Sequence, residues 1–352
     1  MQSSLERVRA VINGRQPDRA PLFDLLRNSA VIRHFTGEEL TVENGAELVY
    51  RAYAPALDAT RPLVKSPCRE ETTTLPDGRK QVHGRWTIWT EHRCFADSES
   101  YEREMRARIR GADGAWTRAR QAGLEGALAS MAEDRRKLGE VFLFPGIPGP
   151  DLMGLYGEVG LEAFSYCLAD CPGVIVELLD LNAIYAERWF RALPEAHGIE
   201  AGFLGDDVAF KSGPLLSPAW MREHYFPRLA RVIAAAHARG IKVLFHSDGN
   251  LNPILDNLVE ACIDGLNPIE ILAGMDVGVI HRRHPHLFMA GGIDVSQLLP
   301  FGTPGQVWDV TRKAIDQAEG RLLVGSSTEL NEEVPLANYL ALRQAVLDKE
   351  LT

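Results

Sequence analysis

The chain has 352 residues, 45% hydrophobic and 24% charged, an ordinary composition for a globular protein and enough length for a large core. Its 48 acidic residues outnumber 38 basic ones, for a formal charge of −10, which argues against nucleic acid or a membrane surface as a partner. No stretch reaches the roughly 18 uninterrupted apolar residues of a membrane helix, and the opening MQSSLERVRAVING lacks a signal-peptide apolar core, so a cytoplasmic location is expected. At about 150 residues per domain the length allows two domains, and a single α/β barrel with insertions equally.

In chain order, the N-terminal stretch mixes charge with helical periodicity and leads into an apolar run at Ala20–Leu25. Further strand-like runs follow at Ala56–Val64, Glu140–Gly146, Glu200–Val208, Ile241–Phe245, Gly265–Ile269, Leu287–Gly291 and Leu322–Gly325. Amphipathic stretches lie between them, among them Pro218–Arg239, Leu251–Cys262 and Pro304–Glu319. Eight strands alternating with helices predict a parallel sheet, and eight strands close a (β/α)8 barrel. The competitor is an open doubly wound sheet, weakened because no GxGxxG or GxxxxGK[ST] loop follows a strand.

One segment breaks the alternation. Glu70–Phe95 is rich in Thr and Trp, with a Pro-Asp-Gly turn between two β-prone runs. It predicts a hairpin inserted after strand two, on the C-terminal (active-site) face of a single domain spanning residues 1–352. Trp86 and Trp89 either help form a lid there or pack the hairpin onto the barrel. The five cysteines are odd in number and dispersed, which reads as free thiols; Cys167 and Cys171, four apart, share a helix face.

Barrel enzymes carry their chemistry at the C-terminal ends of the strands. Those positions hold Asp24 and Arg27 after strand one, Asp58 in strand two, and Asp151 and Tyr156 after strand three. Asp206 and Asp207 follow strand four, His246, Asp248 and Asn250 strand five, Asn267 and Glu270 strand six, Asp294 strand seven, and Ser326 and Ser327 strand eight. Helix capping accounts for Asp294 and about half of the others. The rest point to an active site. In FHSDGN, His246 and Asp248 are two residues apart and can both face inward, because the strand period is 2. An imidazole with carboxylates from neighbouring strands suits zinc or a harder divalent cation, with His246, Asp248, Asp207 and Glu270 as candidate ligands. A hydrogen-bonded barrel histidine or a general acid is the other reading of His246. His281, His284 and His286 fall before strand seven, on the opposite face.

The chain resembles the uroporphyrinogen decarboxylase superfamily nearly end to end, through ERVRAVINGRQPDRAPLF, GPDLMGLY, GPLLSP, GGIDVSQLLPFGTPGQV and VPLANYLALRQAV. The resemblance implies a (β/α)8 barrel and two activities: decarboxylation of uroporphyrinogen, or zinc-dependent methyl transfer to or from a corrinoid. In the decarboxylase pattern Arg27 matches the first Arg of MRQAGRY, with Ala30 and Val31 where the second Gly-Arg lies. Asp58 stands for the aspartate that contacts the pyrrole nitrogens and Tyr156 for the tyrosine of GPFTLxxY. The closing GHG histidine is replaced by Gly325-Ser326-Ser327. In the methyltransferase pattern His246 matches the zinc histidine, Asp248 replaces the first zinc cysteine, and Ser326 or Ser327 the second. The HSDGN form is similar to divergent members associated with demethylases of O- or N-methyl compounds feeding a corrinoid protein.

The expectation is therefore a methyltransferase moving a methyl group between a small methylated substrate and a corrinoid (cobalamin), carried on a separate protein, with zinc or another divalent metal as a candidate cofactor. His246, Tyr156, Asp58 and Asp207 are the candidate catalytic residues, and Arg27, Asp24, Trp89, Asn250 and Ser327 the candidate substrate contacts. A corrinoid protein and a second copy of the chain are the candidate protein partners. The alternatives are a decarboxylase of a tetrapyrrole or other carboxylated aromatic, using Asp58 and Tyr156, and a non-catalytic ligand-binding barrel.

Overall fold

The computed structural model describes residues 2–112 and 116–348. Its strands in chain order are β1 (Ala59–Thr60), β2 (Glu71–Thr74), β3 (Lys80–His83), β4 (Ile88–Thr90), β5 (Phe142–Leu143), β6 (Ala201–Gly205), β7 (Ala209–Phe210), β8 (Gly213–Pro214), β9 (Lys242–His246), β10 (Gly265–Asn267), β11 (Phe288–Ile293) and β12 (Leu322–Ser326). β6, β9, β10, β11 and β12 form one parallel sheet in that order. β1 pairs in parallel with β5, and Gly146 just beyond β5 bridges Phe203 of β6. Residues 22–26 take the remaining position, with Leu22 bridging Val324 of β12 and Phe23 bridging Ala59 of β1. Backbone bonds from Phe23 N to Val324 O (2.8 Å), Phe142 N to Asp58 O (2.8 Å) and Phe203 N to Pro145 O (2.8 Å) close the ring. The fold is a (β/α)8 barrel.

The strand period explains the packing. Phe23, Ala59, Phe144, Ala201, Phe203, Leu244, Phe288 and Ala290 face the barrel interior as one cluster, large rings set against alanines so that a narrow lumen is filled. Their neighbours Leu204, Val243, Phe245 and Met289 face outward into the layer between sheet and helices. Gly325 is required where β12 meets residues 22–26, because a Cβ there would stand 1.6 Å from the Phe23 carbonyl oxygen.

The strands are shorter than their apolar runs. Ala56 belongs to the preceding helix Gly45–Ala56, and residues 22–26 pair only by isolated bridges. The stretch Pro218–Arg239 is two helices, Pro218–His224 and Phe226–His237. Pro227 lacks an N–H to continue the ladder, and the hydroxyl of Tyr225, at the break, is bonded to Asp206 (2.8 Å).

The insertion has three strands where the sequence predicts two. β2 and β3 join through the Pro76-Asp77-Gly78 turn, with Gly78 at φ +88°, and a second turn from Gly84 to Thr87 brings β4 antiparallel onto β3. It is tied to the loop after β12, where Trp86 Nε1 donates to Glu332 Oε1 (2.8 Å), and to the helix Leu152–Val159, where Arg93 N donates to Glu158 O (2.7 Å). Trp86 is buried by this packing; Trp89 is 52% exposed.

Asp58 is corrected by the fold. It precedes β1 and so lies at the N-terminal end of the barrel, away from His246 at the C-terminal end of β9. Arg7 of the helix Ser4–Ile12 and Arg19 hold its carboxylate at 2.8 and 2.7 Å, Ser4 Oγ donates at 2.7 Å, and Leu22 N at 2.8 Å. Burial pushes the Asp58 pKa up, but the hydrogen bonds and charge of Arg19 outweigh it and hold the group below its ordinary range. Every acceptor site of this carboxylate serves the closure of the barrel floor.

Candidate active site

His246 ends β9, paired in register with Gly205 of β6 on one side and Asn267 of β10 on the other. Its Nδ1 lies 2.7 Å from Asn267 Oδ1, and the Asn267 amide is oriented by donation from Nδ2 to the Ala290 carbonyl (3.0 Å). Nδ1 is therefore the protonated nitrogen, and the Nε2 lone pair faces the rim, 3.7 Å from Asp207 Oδ1. The ring packs on Phe203 at 4.9 Å between centroids. Burial lowers the His246 pKa to about 4, with Asp207 opposing and Arg61 assisting, so the imidazole is neutral at physiological pH.

Asp207 and Asp248 complete a group of three whose donor atoms all lie within 4.8 Å of one another. The two loops hold each other: Asp248 N donates to Asp207 Oδ1 (3.0 Å), and Val208 N to Ser247 Oγ (3.0 Å). Gly249 is needed in this turn, since at φ +95° a Cβ would meet the backbone of Ala209 and Phe210 at 2.7 Å. Burial, then the charges of Asp207 and Glu270, push the Asp248 pKa up to about 7, and its Oδ1 is enclosed without a hydrogen-bond partner. A neutral imidazole with a free Nε2 and two carboxylates is a donor set for zinc or manganese, and the Asn267 bond is the outer support such a histidine needs. Glu270 lies outside the group; its Oε2 accepts from Gly249 N at 2.6 Å and steadies the loop instead.

The other predicted residues divide. The Tyr156 hydroxyl donates to the Asp207 carbonyl at 2.8 Å, and burial with nearby carboxylates raises its pKa, so it stays protonated at this site. Arg27 is buried on the same rim, with Nη1 2.7 Å from Glu329. Asp24 is enclosed and accepts from Leu25 N, Ser326 N and Ser326 Oγ at 2.8–2.9 Å, a tie between the first and last barrel positions. Burial raises its pKa to about 6. Asn250 Oδ1 caps Asn252 N, and Ser327 Oγ accepts from Val295 N, so both serve loop geometry. The ring contact of Trp89 is with His92, not with the triad. Asp206 and Asp294 are caps: Asp206 accepts from Leu152 N and Met153 N, Asp294 from Ser296, Gln297 and Leu298 N. Surface clefts of about 610, 400 and 270 Å³ lie along the helices and the insertion, and the triad lines none of them.

One residue was named from the sequence without a role, and one escaped it. Asn267 is visible there as a polar strand end, but its role depends on cross-strand register. Arg61 sits inside the apolar run of strand two, and in the fold it is buried with its guanidinium carbon 5.4 Å from the Phe203 ring centre.

Residues 157–348 match the family model described as Uroporphyrinogen decarboxylase (URO-D). The whole fold is similar to a methyltransferase from Methanosarcina mazei, at 18% identity and a TM-score of 0.68, with 99% of both chains covered. A xylose isomerase-like TIM barrel protein from Mycobacterium smegmatis in complex with magnesium covers 82% of this chain and 96% of its own at 13% identity, but its TM-score of 0.35 carries no argument. No curated protein matches the chain. Among the described residues no helix is long and apolar enough to cross a membrane.

Proposed function

The chain belongs to the uroporphyrinogen decarboxylase family, and from that premise we propose that it is a methyltransferase, moving a methyl group from a small O- or N-methyl compound to a corrinoid carried by a separate protein. The observation that carries this reading is the His246 imidazole, neutral, with Nδ1–H committed to Asn267 and Nε2 open beside Asp207 and Asp248. The likeness to a methyltransferase fold supports it.

Breaking a carbon–oxygen or carbon–nitrogen bond leaves the bonding pair on the heteroatom, which needs a Lewis acid or a proton. His246 Nε2, Asp207 and Asp248 would hold a divalent cation, which when bound supplies Lewis acidity at that heteroatom. Thiolates are absent from the group, so hard oxygen chemistry is favoured over activation of a thiol. Asp248, with a pKa of about 7, is also a proton store at the same point. Tyr156 orients the Asp207 backbone and, remaining protonated, can accept a hydrogen bond through its oxygen. The decarboxylase alternative loses the aspartate assigned to it, since Asp58 is bound into the opposite end of the barrel.

The test is anaerobic. Purified protein is mixed with cob(I)alamin and a panel of methoxylated and N-methylated compounds, and methylcob(III)alamin formation is followed by absorbance. Methylation that disappears in His246→Ala is the expected result. Release of carbon dioxide from carboxylated aromatics without any methyl transfer would replace this reading by the decarboxylase.

A further inference from the structure

Arg61 immediately follows β1 and is only 6% exposed, yet it belongs neither to the triad nor to any helix cap. A guanidinium has five N–H donors. Here Nη2 gives one hydrogen bond, to the Thr328 carbonyl at 3.2 Å, and stands 3.9 Å from Glu329 Oε2. The enclosed Nε has no acceptor, and among the described residues Nη1 makes no hydrogen bond. Glu329 cannot serve Arg61 fully, because the same Oε2 is 2.7 Å from Arg27 Nη1, and Arg27 is itself buried with an unpartnered Nε. Two buried guanidiniums thus share one carboxylate. Of the other acids nearby, Asp24 is taken up by Ser326 and Leu25, and among the described residues no ion pair joins Asp248 to Arg61. Enclosing so poorly partnered a cation is unfavourable until a further anion arrives. The Phe203 ring contacts both Arg61 (5.4 Å) and His246 (4.9 Å), so these free donors stand one aromatic ring from the imidazole.

We propose that Arg61, backed by Arg27 across Glu329, anchors a carboxylate of the substrate, so that the compound handled at His246 is a small methylated carboxylic acid and not a neutral ether or amine. The methyl group in that class rests on the proposed function; the carboxylate rests on Arg61 alone.

Isothermal titration on the full chain decides it, using 4-methoxybenzoate against 4-methoxybenzamide and N,N-dimethylglycine against its amide. In at least one pair the acid binds about tenfold or more tighter, the scale of one charge-assisted hydrogen bond, and Arg61→Gln brings it down to the amide. Glu329→Gln releases both guanidiniums and strengthens acid binding, which a purely structural Arg61 would not produce. Equal binding of acid and amide, binding of neither, or an acid preference that survives Arg61→Gln overturns the assignment. If Arg61→Gln does not fold, the wild-type pairs and Glu329→Gln still separate an anchoring Arg61 from a structural one. Methyl transfer without acid preference sinks this inference and leaves the proposed function standing; acid preference without methyl transfer does the reverse.

Discussion

The tautomer of His246 is set by a residue on the next strand. A histidine that ligates through Nε2 must keep its proton on Nδ1, and Asn267 Oδ1 enforces that at 2.7 Å because its own amide is pinned to Ala290. Asn267→Ala should therefore weaken metal binding about 10–100-fold while leaving the three candidate ligands, His246, Asp207 and Asp248, in place. Elemental analysis and competition titration after zinc or manganese loading, on wild type, Asn267→Ala and His246→Ala, check this. Equal metal content in wild type and His246→Ala would remove His246 from the ligand set. The pair His246 and Asp248 was legible because alternation in a strand is a local rule. Asn267 and Arg61 were not, because their roles come from register and closure: Arg61 meets Thr328 across 267 residues of chain.

Among the elements, a single carboxylate joins the insertion to the loop after the last barrel strand. Glu332 follows the last barrel strand and accepts from Trp86 Nε1 (2.8 Å), Ser29 Oγ (2.7 Å) and Ser29 N (2.9 Å), with Arg85 Nε at 3.2 Å. Glu332→Ala leaves the buried Trp86 N–H without an acceptor, a loss of about 1–3 kcal/mol that falls on the sheet and not on the barrel. Limited proteolysis should cut within residues 70–95 faster than in wild type, and tryptophan emission should move to the red; unchanged cleavage would show that the sheet is held otherwise. The Pro76-Asp77-Gly78 turn was readable because its Gly takes a positive φ. The second turn, Gly84-Arg85-Trp86-Thr87, has no such paired signature, and β4 was hidden with it.

For the whole molecule, the barrel separates a floor that holds it closed from a rim that gathers Asp207, His246 and Asp248. The resemblance placed Asp58 by motif order, and motif order does not say which end of a strand a residue occupies. Asp58 is part of the floor, where Arg7 and Arg19 tie the first helix and the first barrel position to the second. Removing one partner of a buried ion pair leaves uncompensated charge, so Asp58→Asn should cost about 3–5 kcal/mol at neutral pH. The sign of its pH dependence follows from linkage. The folded pKa lies below the ordinary 3.8, so the ionised group contributes stability above 3.8 and loses it as pH falls through the folded value. Urea unfolding of wild type and Asp58→Asn should accordingly differ most at pH 7, with the difference shrinking only as pH falls below 3.8 toward the folded value. Metal loading at the rim should match wild type in the folded variant, because Asp207, His246 and Asp248 lie at the other end of the strands. An Asp58→Asn protein as stable as wild type but unable to transfer methyl groups would return Asp58 to the reaction and reverse this assignment.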